Sequence, residues 1–148
     1  MYSKYDITTA KWGEVKEMGH YDMAILPWGA TEPHNLHLPY CTDMLTAQAV
    51  AFEVAEKAAM QGVNLMVLPG IPLGSQNPGQ IELPYCIHTS QTTQMAILRD
   101  VVRSLKRQGI RKLMIMSGHG GNNFKGIIRD IMIEDPEMII VHNEWFAI

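Results

Sequence analysis

Cysteine is nearly absent from this chain. Cys41 and Cys86 are the only two, and their separation rules out a CxxC pair, so neither a zinc knuckle nor a disulfide framework is indicated. Their plain reading is two free thiols in a reducing compartment. Excess positive charge is lacking too: 12 Lys and Arg against 15 Asp and Glu leave a net charge of -3, with no basic footprint for nucleic acid or a membrane surface. No apolar run approaches the roughly 18 residues of a membrane span. Residues 1–6 lack the apolar core of a signal peptide. A soluble, cytoplasmic protein with no nucleic-acid or membrane partner is the expectation.

What is present fits one globular domain over residues 1–148: the length suffices to bury a sizeable core, and 47% of residues are hydrophobic. The eleven methionines fall at apolar positions and read as core filling. The pattern predicts a short helix from about Thr9 to Met18 and a strand over Asp22–Trp28. A helix capped by Asp43 and running to about Met60 should follow, then a strand over Val63–Pro69. Ser90 should cap a third helix, in which Met95, Leu98, Val101, Val102 and Leu105 recur at helical spacing. A strand over Lys112–Ser117, a helix over Asn123–Glu134 and a terminal strand from Met138 complete the alternation. Ending on an apolar strand with no helix to cover it, the chain reads as the first part of a longer domain.

Such alternation implies an α/β fold with a mainly parallel sheet between two helical layers. Ligands of these sheets bind outside the carboxyl ends of the strands. Three loops converge there: 29–42, 70–89 and 117–122. The first holds Glu32, His34 and His37 and leads into Asp43; the third holds His119 among Gly118, Gly120 and Gly121. Glu32 and His34 are two residues apart with Pro33 between them, so an extended backbone would aim both side chains one way. Singly, each has a plain reading: Asp43 an N-cap, Glu32 a solvated carboxylate, each histidine a hydrogen-bonded structural residue. Together at one sheet edge they point to a divalent metal, because carboxylate and imidazole donors suit zinc, manganese or iron. Spacing does not choose for His37 among serving as ligand in place of His34, bonding to a ligand from behind and contacting a substrate.

The run Leu26-Pro-Trp-Gly-Ala-Thr-Glu-Pro-His-Asn-Leu-His-Leu-Pro-Tyr-Cys-Thr-Asp43 closely resembles the creatininase family pattern P-x-G-S/T-x-E-x-H-G-x-H-L-P-x-x-T-D. Ser117-Gly-His-Gly-Gly-Asn122 resembles the N-G-H-G-G-N motif of the same family. The resemblance implies a creatininase-like fold and two divalent ions, zinc or manganese with iron as an option. It implies that Glu32 and His119 bind one ion, His34 the other, and that Asp43 bridges them, with Glu32, Asp43 and His119 catalytic. It further implies a metal-bridged hydroxide attacking the carbonyl of a small cyclic amide or related C–N substrate. By the same resemblance Trp145 would contact that substrate, with His37 taken as a second contact from its place in the loop, and the assembly would be a homo-oligomer, a hexamer in the family. A formamide deformylase, a peptide-trimming relative and a catalytically silent metal-binding member are the alternatives. Three departures from the pattern stand out: Asn35 replaces a glycine, Ser117 an asparagine, and Gly121 a metal-binding glutamate.

Overall fold

The computed structural model describes residues 4–144 and Phe146. Its elements in chain order are α1 (Trp12–Met18), β1 (Met23–Trp28), α2 (Thr42–Ala59), β2 (Leu65–Val67), α3 (Gln91–Arg107), β3 (Lys112–Ser117), α4 (Lys125–Glu134) and β4 (Ile139–Glu144). The four strands form one all-parallel sheet in the order β2-β1-β3-β4. The chain therefore runs outward from β1 to β2 on one side and to β3 and β4 on the other. The crevice between β1 and β3 is the topological switch point, where this class of sheet places its ligands.

β1 is buried along nearly its whole length, as expected of a strand covered on both faces. On one face lies the larger core, in which Leu98, Val102 and Leu105 of α3 and Ile127 and Ile131 of α4 meet Leu26, Leu113 and Ile115. On the other, α2 presents Ala47, Ala51 and Ala55 to Ile25, Leu65, Val67 and Met116. Those alanines recur every four residues on one helix face, and their small side chains let the α2 backbone lie close to the sheet. No helix among the described residues is long and apolar enough to cross a membrane.

Several boundaries differ from the sequence reading. α1 starts at Trp12 rather than Thr9, because Asp6 gathers Thr8 and Thr9 into a turn by accepting both backbone N–H groups. Asp43 is not an N-cap: Cys41 holds that position and Asp43 lies in the first turn, which frees its carboxylate for other partners. β2 is a short three-residue strand. α4 begins at Lys125, since Asn123 uses its side-chain oxygen to receive the Lys125 N–H. Ser90 does cap α3, accepting from the Thr93 N–H at 3.3 Å.

Candidate metal centre

α2 enters the sheet edge through two glycines. A Cβ on Gly29 would lie 2.2 Å from Met44 N, and one on Gly118 would lie 2.2 Å from Asp43 O. Only hydrogen at both positions lets the first turn of α2 rest on the ends of β1 and β3. That contact sets the Asp43 carboxylate between the loops that follow those strands.

The loop after β1 turns tightly over 35–37, closed by the His34–Leu38 bridge and by the Glu32 N–H donating to Tyr40 O at 3.1 Å. Asn35 adopts φ 58, a left-handed conformation that asparagine tolerates better than most residues. Its replacement of glycine thus preserves the turn. His37 is exposed on this turn, whereas His34 is partly buried and reaches Asp43. Trp145 lies outside the described residues.

Four side chains converge. His34 Nε2 is 2.7 Å from Asp43 Oδ1, while His119 Nδ1 is 2.9 Å from Asp43 Oδ2 and 3.1 Å from Glu32 Oε1. His34 Nε2 stands 3.8 Å from the same Glu32 oxygen. Asp43 thus faces one imidazole with each oxygen. Ligand atoms of Glu32, Asp43 and His119 lie within 4.8 Å of one another. The outer nitrogen of each ring meets a backbone carbonyl: His34 Nδ1 donates to Glu32 O at 3.0 Å and His119 Nε2 to Ser75 O at 2.8 Å. A carbonyl can only accept, so those nitrogens carry the protons and the inner ones offer lone pairs to the cluster.

The donor set fits a divalent cation. Glu32 Oε2 and Asp43 Oδ2 are buried with no hydrogen-bond partner, and while the His119 ring is neutral its Nδ1 lone pair faces Asp43 Oδ2 at 2.9 Å. Buried acceptors facing imidazole lone pairs lack the protons to satisfy one another, and either added protons or a cation must supply positive charge. Electrostatics without metal follow the same logic. Burial works against ionisation of Asp43, but the His119 and His34 rings outweigh it and hold the carboxyl below its ordinary value. Burial likewise opposes charge on His119, yet Asp43, the Ser75 carbonyl and Glu32 together raise its pKa.

The middle loop, unremarkable in sequence apart from its glycines and prolines, closes the site from the side. Its neck is pinched: Thr89 N–H donates to Gly74 O, Ser75 Oγ to Thr89 O, and Gln76 N–H to His88 Nδ1. The first loop ties to it, with Tyr40 Oη donating to Pro84 O at 3.0 Å and the Tyr40 and Tyr85 rings meeting edge to face. The loop also explains Gly121. A Cβ there would fall 2.3 Å from Ser75 O and 2.6 Å from His119 Nε2, so the carboxylate expected from the family pattern has no room. Sequence reasoning missed the Ser75 carbonyl, because a main-chain acceptor leaves no residue-type signal.

The creatinine amidohydrolase (creatininase) family model matches residues 8–147. The chain belongs to the creatininase family. A crystal structure of a Bacteroides fragilis protein provisionally described as a creatinine amidohydrolase superposes with a TM-score of 0.96 at 55% identity, over 99% of this chain and 58% of that one. The creatinine amidohydrolase of Pseudomonas putida is 31% identical over 67% of this chain and 38% of its own length. A 2-amino-5-formylamino-6-ribosylaminopyrimidin-4(3H)-one 5'-monophosphate deformylase of Methanosphaera stadtmanae is 28% identical over 88% of this chain and 54% of its own. This creatininase-family chain accordingly spans about half of its relatives' length. Creatininase structures in zinc–zinc and manganese forms share the fold, each with a TM-score of 0.80.

Proposed function

We propose that this chain carries the metal-binding part of an amidohydrolase acting on a C–N bond other than a peptide bond, in a small cyclic amide or related substrate. The observation that carries the reading is the placement of Asp43 between two imidazoles, one on each carboxylate oxygen, with Glu32 completing the cluster. Glu32, His34, Asp43 and His119 would hold two divalent ions, zinc or manganese as in the creatininase forms just described. Bound there, such ions polarise a carbonyl and lower the pKa of water, which is what amide hydrolysis at neutral pH requires. The chain's residues do the rest by orientation. The carbonyls of Glu32 and Ser75 fix the rings, and the start of α2 fixes Asp43. Hydrolysis then adds hydroxyl to the carbonyl carbon and a proton to the departing nitrogen. His37, on the exposed turn, is proposed as a substrate contact rather than a ligand. The deformylase relative, which matches more of this chain than the creatinine amidohydrolase does, supports a formamide substrate as the second reading.

Metal analysis of the purified protein tests the proposal. Up to two divalent ions per chain are expected, with at least one lost in Asp43→Ala and in His119→Ala. A wild-type protein that takes up no zinc or manganese under any loading condition would sink it.

A further inference from the structure

One side of α3 carries an amide where its pattern calls for an apolar side chain. Gln94, Leu98, Val102 and Leu105 are the buried residues of this helix, and Gln94 is completely buried. Its Nε2 donates to Asn122 Oδ1 at 2.9 Å, while its own Oε1 is buried without a partner. An amide left half-satisfied in a core is costly, and an apolar residue would pack the same space without that cost.

What the amide does is visible one bond further on. Asn122 Oδ1 also receives the Ser75 N–H at 3.1 Å, and Asn122 Nδ2 donates to Gly29 O at 3.2 Å. Two backbone groups, a donor and an acceptor, thus fix which way the Asn122 amide faces. Gln94 adds a second donor to the oxygen and stiffens that choice. Asn122 holds Ser75, and Ser75 O receives His119 Nε2–H at 2.8 Å. The chain of contacts runs from the buried side of the first turn of α3 to the ring that faces Glu32 and Asp43.

We propose that Gln94 is a positioning residue for His119, acting through Asn122 and Ser75 to keep the imidazole proton on Nε2 and the Nδ1 lone pair toward the carboxylates. The inference rests on the reading of His119 as a metal ligand, but it concerns a residue that no ligand pattern includes. Hydrogen-bond partners behind a ligand are worth about ten- to a hundredfold in metal affinity, and Gln94, two contacts removed, belongs at the lower end.

The test uses the 148-residue protein with Zn²⁺ alone, its affinity read by chelator competition, together with ¹⁵N NMR of the neutral His119 ring in the metal-free protein. Gln94→Met keeps the approximate shape without the amide, and Gln94→Asn, which retains an amide but draws it back from Asn122 by one methylene, serves if the first does not fold. About tenfold weaker zinc binding with the fold retained, and loss of the dominant Nε2–H tautomer, is the expected result. Zinc affinity and tautomer both equal to wild type would overturn the inference while leaving the metal site standing, even if thermal stability falls. A wild type that binds no zinc would instead remove the metal reading. The tautomer comparison then decides the role of Gln94 alone: redistribution supports it, and an unchanged tautomer refutes it.

Discussion

Asn35 and Gly121 both depart from the family pattern, and for each the backbone supplies the reason. Asn35 occupies a left-handed turn that a β-branched residue disfavours. Asn35→Val should therefore cost about 1–2 kcal/mol in chemical denaturation, while Asn35→Gly should be close to neutral. Gly121 is constrained by the Ser75 carbonyl 2.3 Å from its would-be Cβ. Putting a carboxylate back at 121 is then no repair. Even Gly121→Ala should lower zinc affinity about tenfold or more, because Ser75 must retreat from His119. An alanine variant that binds zinc like the wild type would show that the loop yields freely. The four converging side chains were legible in sequence because two carboxylates and two imidazoles crowd two short segments at the carboxyl edge of a parallel sheet, where ligands bind. Gln94 and Asn122 were not, since neutral amides bonded across 28 and 93 residues have no spacing to betray them. One signal was there to find: a glutamine four residues before Leu98, on the stripe that the helix buries.

Among the elements, α2 does the most to place chemistry. Its alanine stripe brings the helix close to β1, β2 and β3, and its first turn is where Asp43 sits. Ala51→Leu should cost about 1–3 kcal/mol by overpacking, and by lifting the helix it should also weaken zinc binding. Measuring both on one variant separates the effects, since lost stability with intact zinc affinity would mean that Gly29 and Gly118 alone anchor the first turn. Element type and order follow from the sequence because apolar runs such as Leu113–Met116 are continuous and end in turn residues. Starts were harder. Asp6 and Asn123 bond the backbone locally and delay the helices behind them, and Asp43 has the chemistry of a cap while standing two positions past it.

For the molecule as a whole, protons and metal compete for one cluster. Asp43, with its pKa lowered on folding, contributes stability above its ordinary titration range and loses it as pH falls through the folded value. His119, with its pKa raised, contributes below its ordinary range and loses that contribution as pH rises through the folded value. Without metal the pair favours the fold most between about pH 4 and about pH 6.5. Metal needs the rings deprotonated, so its contribution grows as pH rises. As pH rises above the ordinary histidine value of about 6.5, the melting temperature of the metal-free protein should fall while the gain on adding zinc should increase. Parallel pH profiles with and without zinc would contradict a shared cluster.

The pinched neck of the middle loop, Gly74–Gln76 against His88 and Thr89, has a bearing on how such a protein changes over generations. Contacts at the neck hold His119, whereas residues 77–87 are mostly exposed and lie beyond it. Residues can be gained, lost or exchanged in that tip while the ring behind it stays where it is. New substrates can then be tried at the rim without first dismantling the site that would act on them.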